Sequence, residues 1–435
     1  MLFALSGLSL PRSSCRSYTK SVESSKHRFC ADRYDYRAVC LFCACILYAF
    51  FGSPTPDRFG VVEISLTVLL LLGVGVSSLH DVMAVPLAFR FWKSAGQFLM
   101  VYGLTIPLLA GSMSGAQANV ILRDLLAFLF LFLPLLYLPV IRAKPQYFRT
   151  TLLGLVLIGL LFSLRSLVMR FGVTCRFDSW CTNDALLYLE NMPTVLFSCL
   201  LLIGSAIVYV MRPLSVRYVL ASVFLILLAL VPLSAMVLTL QRASVGALVV
   251  YIALVYTYFL YHFPGRALKA FGFGALALCF FWVYYDWVFS SLWEKTRSVG
   301  LNMRMQELRA VWNVVSADPL TLLFGIGWGG QFHSPAVGGL SVNFTHNFFS
   351  SMLLKSGLMG MMLSAAYIFG LLERLLRVVF KNPVFGMAVA APVLIDLTLY
   401  ASFKSLDFGL VLLLIPASLV YFRQFESHNH AKFFQ

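Results

Sequence analysis

The chain has 435 residues, of which 60% are hydrophobic and only 12% charged, and its mean hydropathy is +0.85. Soluble domains carry about 25% charged residues, so water is excluded as the solvent for most of this chain. A net charge of +15 would suggest nucleic acid in a soluble protein, but here Lys and Arg sit mostly in short segments between apolar runs, where they set membrane orientation.

Residues 1–37 are Ser- and Arg-rich, with no long apolar stretch before a small-residue cleavage site. A basic, disordered cytoplasmic tail is expected there rather than a secretory signal. Twelve apolar runs follow, at 38–54, 60–78, 95–112, 121–141, 150–170, 192–211, 218–238, 243–262, 267–285, 347–370, 384–402 and 408–422. A span needs roughly 20 apolar residues, and only helices satisfy the backbone of such uniform runs in hydrocarbon. The expected fold is therefore all-α and integral to the membrane, with about twelve transmembrane helices over residues 38–422 and a short cytoplasmic tail at 423–435.

Alternate short loops differ in charge. One set holds twelve basic residues: Arg90 and Lys93; Arg142, Lys144 and Arg149; Arg212 and Arg217; Arg266 and Lys269; Arg374, Arg377 and Lys381. The opposite short loops hold Arg58, Arg242 and Lys404. The first set is expected in the cytoplasm with both termini. Two segments then face outward, a modest one at 171–191 and a long one at 286–345 between spans nine and ten. Only Cys175 and Cys181, in the modest segment, are placed where an oxidising compartment would allow a disulfide.

The long outer segment opens with the aromatics of YYDWVFSSLW and continues into NMRMQELRAVWNVV. Met303, Leu308, Val311 and Val315 fall near helical spacing in that stretch, predicting an amphipathic helix lying on the membrane and ended by Pro319. The run GIGWGG formally matches GxGxxG, but it follows no clear strand and leads into no helix. It is read as a tight turn, containing Gly327, whose backbone approaches a neighbour or ligand. The tenth span is expected to start just after Thr345-His346-Asn347.

His346 at the head of that span is reachable from water and suits general-base work. Arg242 lies at the outer end of span eight, and Arg304 and Arg309 lie on the loop helix, which is expected to close over the same mouth. Taken singly each has a bland reading: His346 caps a helix, Arg242 snorkels to lipid phosphate, and the loop arginines form a solvated face. Taken together they put a base beside guanidinium forks that suit phosphate oxygens. That combination implies group transfer from a phosphorylated donor. No DxD or HExxH accompanies it, so no metal is expected. Among the charges inside apolar runs, Glu63, Arg123, Asp124, Arg165, Arg170 and Asp396 lie mostly near span ends, where snorkelling suffices, whereas Lys355 lies about 13 Å beyond His346 along the helix. Pairing with Asp396 and contact with substrate are two readings open to it, neither of them required by the sequence.

In order, LTLQRASVG, MRMQELRAVW, DPLTLLFGIGWGG and THNFFSSMLLKSGLMG resemble the motifs of the O-antigen ligase and O-antigen polymerase superfamily of bacterial membrane glycosyltransferases. The resemblance covers about 235–370. It implies a metal-independent inverting transferase, without cofactor, acting at the periplasmic face of the inner membrane. The donor would be an undecaprenyl-pyrophosphate-linked glycan, and the acceptor either lipid A core, for a ligase, or a growing glycan, for a polymerase. It makes His346 the base, with Asn347 beside it, and gives the pyrophosphate to Arg242 and Arg304. This chain departs from the family in having Gln241-Arg242-Ala243 in place of Ser-Arg-Gly, and Leu308 in place of an aromatic, with Trp312 one turn later. A transporter or flippase is the rival class. It would line a midplane path with charge, whereas the candidates here gather at one outer mouth.

Overall fold

Apolar sequence becomes helix along most of the described chain, but in shorter and more bent pieces than hydropathy suggests. The computed structural model describes residues 36–52, 60–83, 91–170, 189, 191–212, 215–268 and 303–433. Its helices are α1 (Tyr36–Phe51), α2 (Val61–Met83), α3 (Phe91–Met113), α4 (Ala118–Phe130), α5 (Leu133–Ala143), α6 (Gln146–Arg170), α7 (Pro193–Val210), α8 (Val216–Leu238) and α9 (Arg242–His262). After a gap come α10 (Arg304–Val315), α11 (Pro319–Phe324), a hairpin of β1 (Phe332–Ser334) and β2 (Leu340–Val342), then α12 (Phe348–Lys381), α13 (Pro383–Thr398) and α14 (Leu406–Phe433).

The expectation of about twelve spans is overturned. Among the described residues seven helices are long and apolar enough to cross a membrane, namely α3, α6, α7, α8, α9, α12 and Leu406–Gln424 of α14. The count is eight if α4 and α5, bent by 42°, form one broken span. The reason is helix continuity, which a hydropathy window does not register. The run at 121–141 breaks at Leu131–Phe132, ahead of Pro134, and the freed Leu131 carbonyl accepts from the Tyr367 hydroxyl at 2.8 Å. The run at 60–78 kinks at Gly75, leaving Val61–Gly75, while α1 and α13 have 16 residues each and fall short of a full span. Most of the run at 267–285 lies outside the described residues, as do Cys175, Cys181 and nearly all of the N-terminal tail. The all-α expectation fails too, because β1 and β2 pair antiparallel with His333 opposite Ser341. What stands is a mostly helical, multi-pass membrane protein.

Burial orders the bundle. In α7, 83% of the apolar window is enclosed, whereas in α9 only 28% is, so α7 is central and α9 peripheral. α7 packs on α6, α8 and α13, while α12 lies along α3 and α13. The outer segment has a small core of its own, where Val311 and Val315 of α10 meet Phe332, Leu353 and Leu354. α10 is thereby seated on the head of α12. Pro319 begins α11, in which Asp318 accepts from the backbone of Leu320 and Thr321 at 3.0 Å.

Two helix defects hold the Gly-rich turn in place. Pro107 in α3 has no N–H, so the Gly103 carbonyl loses its helical partner; Trp328 Nε1–H donates to it at 2.7 Å. In α12, Gly357 leaves helical geometry (φ 65, ψ −168). The carbonyls of Leu354 and Lys355 accept from the backbone N–H of Ile326 at 2.9 Å and Gly327 at 3.1 Å, and that of Ser356 from the Tyr102 hydroxyl at 2.8 Å. Gly327 has φ 83, and a Cβ built there would run into the amide nitrogen of Gly111. Here glycine is needed both for the turn and for the approach. The turn thus meets protein neighbours on α3 and α12.

Candidate functional site

His346 precedes α12 by two residues, and its position follows from local capping. Asn347 is extended (φ −123, ψ 134), and its side chain accepts from the N–H of Phe349 at 2.9 Å and Ser350 at 3.3 Å. Thr345 and Ser350 hydroxyls donate to the Asn347 carbonyl at 2.8 and 3.0 Å. Asn347 is therefore the helix cap, and it fixes the backbone beneath His346.

The imidazole, 28% exposed, meets Glu307 of α10. Nδ1–H donates to Oε1 at 3.1 Å and lies 3.2 Å from Oε2, and the His346 backbone N–H donates to Oε2 at 3.1 Å. The Ser334 hydroxyl donates to Oε1 at 2.8 Å. Although burial disfavours its charge, these donors hold the Glu307 carboxyl below its ordinary range. An ionised carboxylate only accepts, so the neutral ring carries its proton on Nδ1 and leaves the Nε2 lone pair free. Sequence reasoning missed this role for Glu307. The available signal was a carboxylate one and two turns before Val311 and Val315, on the buried stripe of α10.

Arg304 opens α10 on the same side. Its guanidinium lies within electrostatic range of Glu307, Tyr400 and Arg242, and its pKa is lowered by desolvation and by the Arg242 charge. The structure thus brings together His346, Glu307, Arg304 and Arg242. Tyr400 joins them, sharing a hydrogen bond with Ser244, and burial pushes its hydroxyl pKa up. Arg242 begins α9 after a strained turn, in which Leu240 has φ 55. Gln241 between them is 5% exposed, and its side-chain amide has no hydrogen-bond partner among the described residues. Arg309 is exposed, as its solvated reading expects.

Gly327 and Lys355 lie elsewhere. Lys355, 1% exposed, donates to Asp124 Oδ2 and to the Gly330 carbonyl, each at 2.6 Å. Asp124 also accepts from the Gly329 N–H and from Asn343 Nδ2, both at 3.0 Å, with Lys404 Nζ 3.7 Å away. Lys355 therefore fastens the turn from below and does not pair with Asp396, which accepts instead from Ser402 at 2.9 Å. Snorkelling also fails as an account of Asp124 and Arg165. They are 4% and 3% exposed, and Arg165 donates to the carbonyls of Ala49 and Gly52 at 3.0 Å. Lys404 donates to the Asn343 carbonyl at 3.1 Å. Desolvation, with Lys355 nearby, brings its pKa down to about 8 against the pull of Asp124.

Among the described residues no three His, Cys, Asp or Glu side chains gather to hold a metal ion. Compared with known proteins, the chain matches no family model and no curated protein matches it.

Proposed function

We propose that this protein transfers a glycan from a lipid pyrophosphate to an acceptor hydroxyl, in the manner of the O-antigen ligases that its four ordered motifs resemble. The observation carrying this reading is the Glu307–His346 pair, a base with its orienter, whose histidine is open to water on one side. Arg242 and Arg304 add paired positive charge near that base, as a pyrophosphate leaving group requires. In the reaction the acceptor oxygen bonds to the anomeric carbon while the bond from that carbon to the pyrophosphate oxygen breaks. His346 Nε2 takes the hydroxyl proton, and the two arginines hold the departing anion. In-line attack inverts the anomeric centre, and nothing in the step calls for a metal or cofactor. The donor would be undecaprenyl-pyrophosphate-linked and the acceptor lipid A core, at the periplasmic face of a bacterial inner membrane. Loop charge supports that orientation.

Purified full chain, lipid-linked donor and acceptor form the direct assay. His346→Ala is expected to lower transfer by about 10²–10⁴-fold. Full activity in that variant would end the mechanism, and wild type that moves lipid across a bilayer without transferring glycan would end the class. Acceptor choice is read in a deletion strain. A ligase deletion leaves long lipid-linked polymer but no surface-attached O-antigen; loss of the long polymer itself would mean a polymerase.

A further inference from the structure

A second basic site lies at the other end of the bundle. Arg374 and Arg377 sit near the C-terminal end of α12, after about 40 Å of helix from its head. There a cavity of about 230 Å³ is lined by four guanidinium side chains, Arg142 of α5, Arg374 and Arg377 of α12 and Arg423 of α14. No carboxylate is among the described lining residues. Of the four, Arg377 is exposed and pairs with Glu373 one turn away, a carboxylate that is itself outside the lining. Arg374 is held in place over the Trp92 ring, 5.1 Å from its centroid. The rest of the lining is apolar: Leu138, Pro416, Leu419 and Val420.

Four guanidinium-bearing side chains share one lining, Arg374 half-buried and Arg142, Arg377 and Arg423 exposed, which concentrates positive charge beside an apolar wall. The geometry points to a binding site for the phosphate of an anionic phospholipid, its headgroup among the four arginines and its glycerol and acyl carbons against Leu138, Pro416, Leu419 and Val420. Basic pockets between membrane helices take such headgroups, and guanidinium forks suit phosphate oxygens better than an ammonium does. A soluble phosphate shares the headgroup chemistry but has no use for the apolar half of the cavity. The site is separate from the mouth around His346 and does not rest on the transfer reaction.

Native mass spectrometry of the full chain in detergent tests it, with phosphatidylglycerol, phosphatidylcholine and inorganic phosphate titrated separately. Phosphatidylglycerol is expected to bind at least about tenfold more tightly than phosphatidylcholine, and removing two charges in an Arg374→Gln/Arg423→Gln variant to weaken it roughly thirtyfold. The wild-type unfolding midpoint should rise with phosphatidylglycerol and not with phosphatidylcholine, a measurement that needs no variant to fold. Equal retention of the two lipids would overturn the proposal. So would inorganic phosphate binding as tightly as phosphatidylglycerol, which would assign the site to a soluble anion.

Discussion

Glu307 is 3% exposed on a short helix outside the bundle, where an unmet carboxylate would cost several kcal/mol. It meets the Ser334 hydroxyl and both the backbone and ring N–H of His346. If the pair acts as base and orienter, Glu307→Gln keeps an acceptor but removes the charge that steadies the imidazolium formed when a proton arrives. We expect kcat to fall by about 10²-fold or more while KM for the lipid-linked donor stays nearly unchanged. Wild-type kcat would reduce the pair to scaffolding. His346 and Asn347 are legible in sequence because they adjoin the start of an apolar run. Glu307 is not, since its partner is 39 residues away. Spacing alone puts Met303 and Leu308 on the apolar stripe of that helix, whereas they are 47% and 44% exposed and the buried face is Glu307, Val311 and Val315.

At the scale of elements, breaks matter as much as helices. Gly357 has φ 65, and a Cβ there would meet the carbonyl oxygen of Leu323. Gly357→Ala is therefore expected to cost about 2 kcal/mol or more, lowering the unfolding midpoint in detergent. Gly265→Ala, where nothing lies within 4 Å, should cost less than about 0.5 kcal/mol. Equal midpoints for the two variants would mean that the kink is not enforced. Pro107 was visible in the sequence, but not that Trp328, 225 residues from Gly103, supplies the donor its ring cannot spare. Hydropathy reads composition along a run and is blind to which carbonyls a kink releases. That is why the eleven apolar runs that fall mostly among the described residues resolve into seven or eight helical spans plus shorter pieces.

Among the described residues, three concentrations of charge follow one another along the bundle: the mouth at His346, the buried cluster around Asp124, and the arginine cavity at the far end. Loop counting found the far end, because short basic loops are local in sequence. It places Lys404 in a short loop, which holds, but does not show that the side chain, 16% exposed, turns inward to join the cluster. Lys404 releases its proton near pH 8 in the folded protein and near 10.5 ordinarily. Between those values the unfolded chain holds the extra proton, so stability rises with pH across that window. The unfolding midpoint of wild type should gain on that of Lys404→Met between pH 7.5 and 9.5, and a constant gap would disprove the shift. The docked Gly-rich turn has one more consequence. Pulling it out breaks six hydrogen bonds, five donated by the backbone of Ile326, Gly327, Trp328 and Gly329 and by the Trp328 ring, and one that the Gly330 carbonyl accepts from Lys355. At about 1 kcal/mol each, the undocked form is held to about one molecule in tens of thousands. The turn is a rivet joining α3, α4 and α12, so the helices it pins keep their relative places while it stays docked.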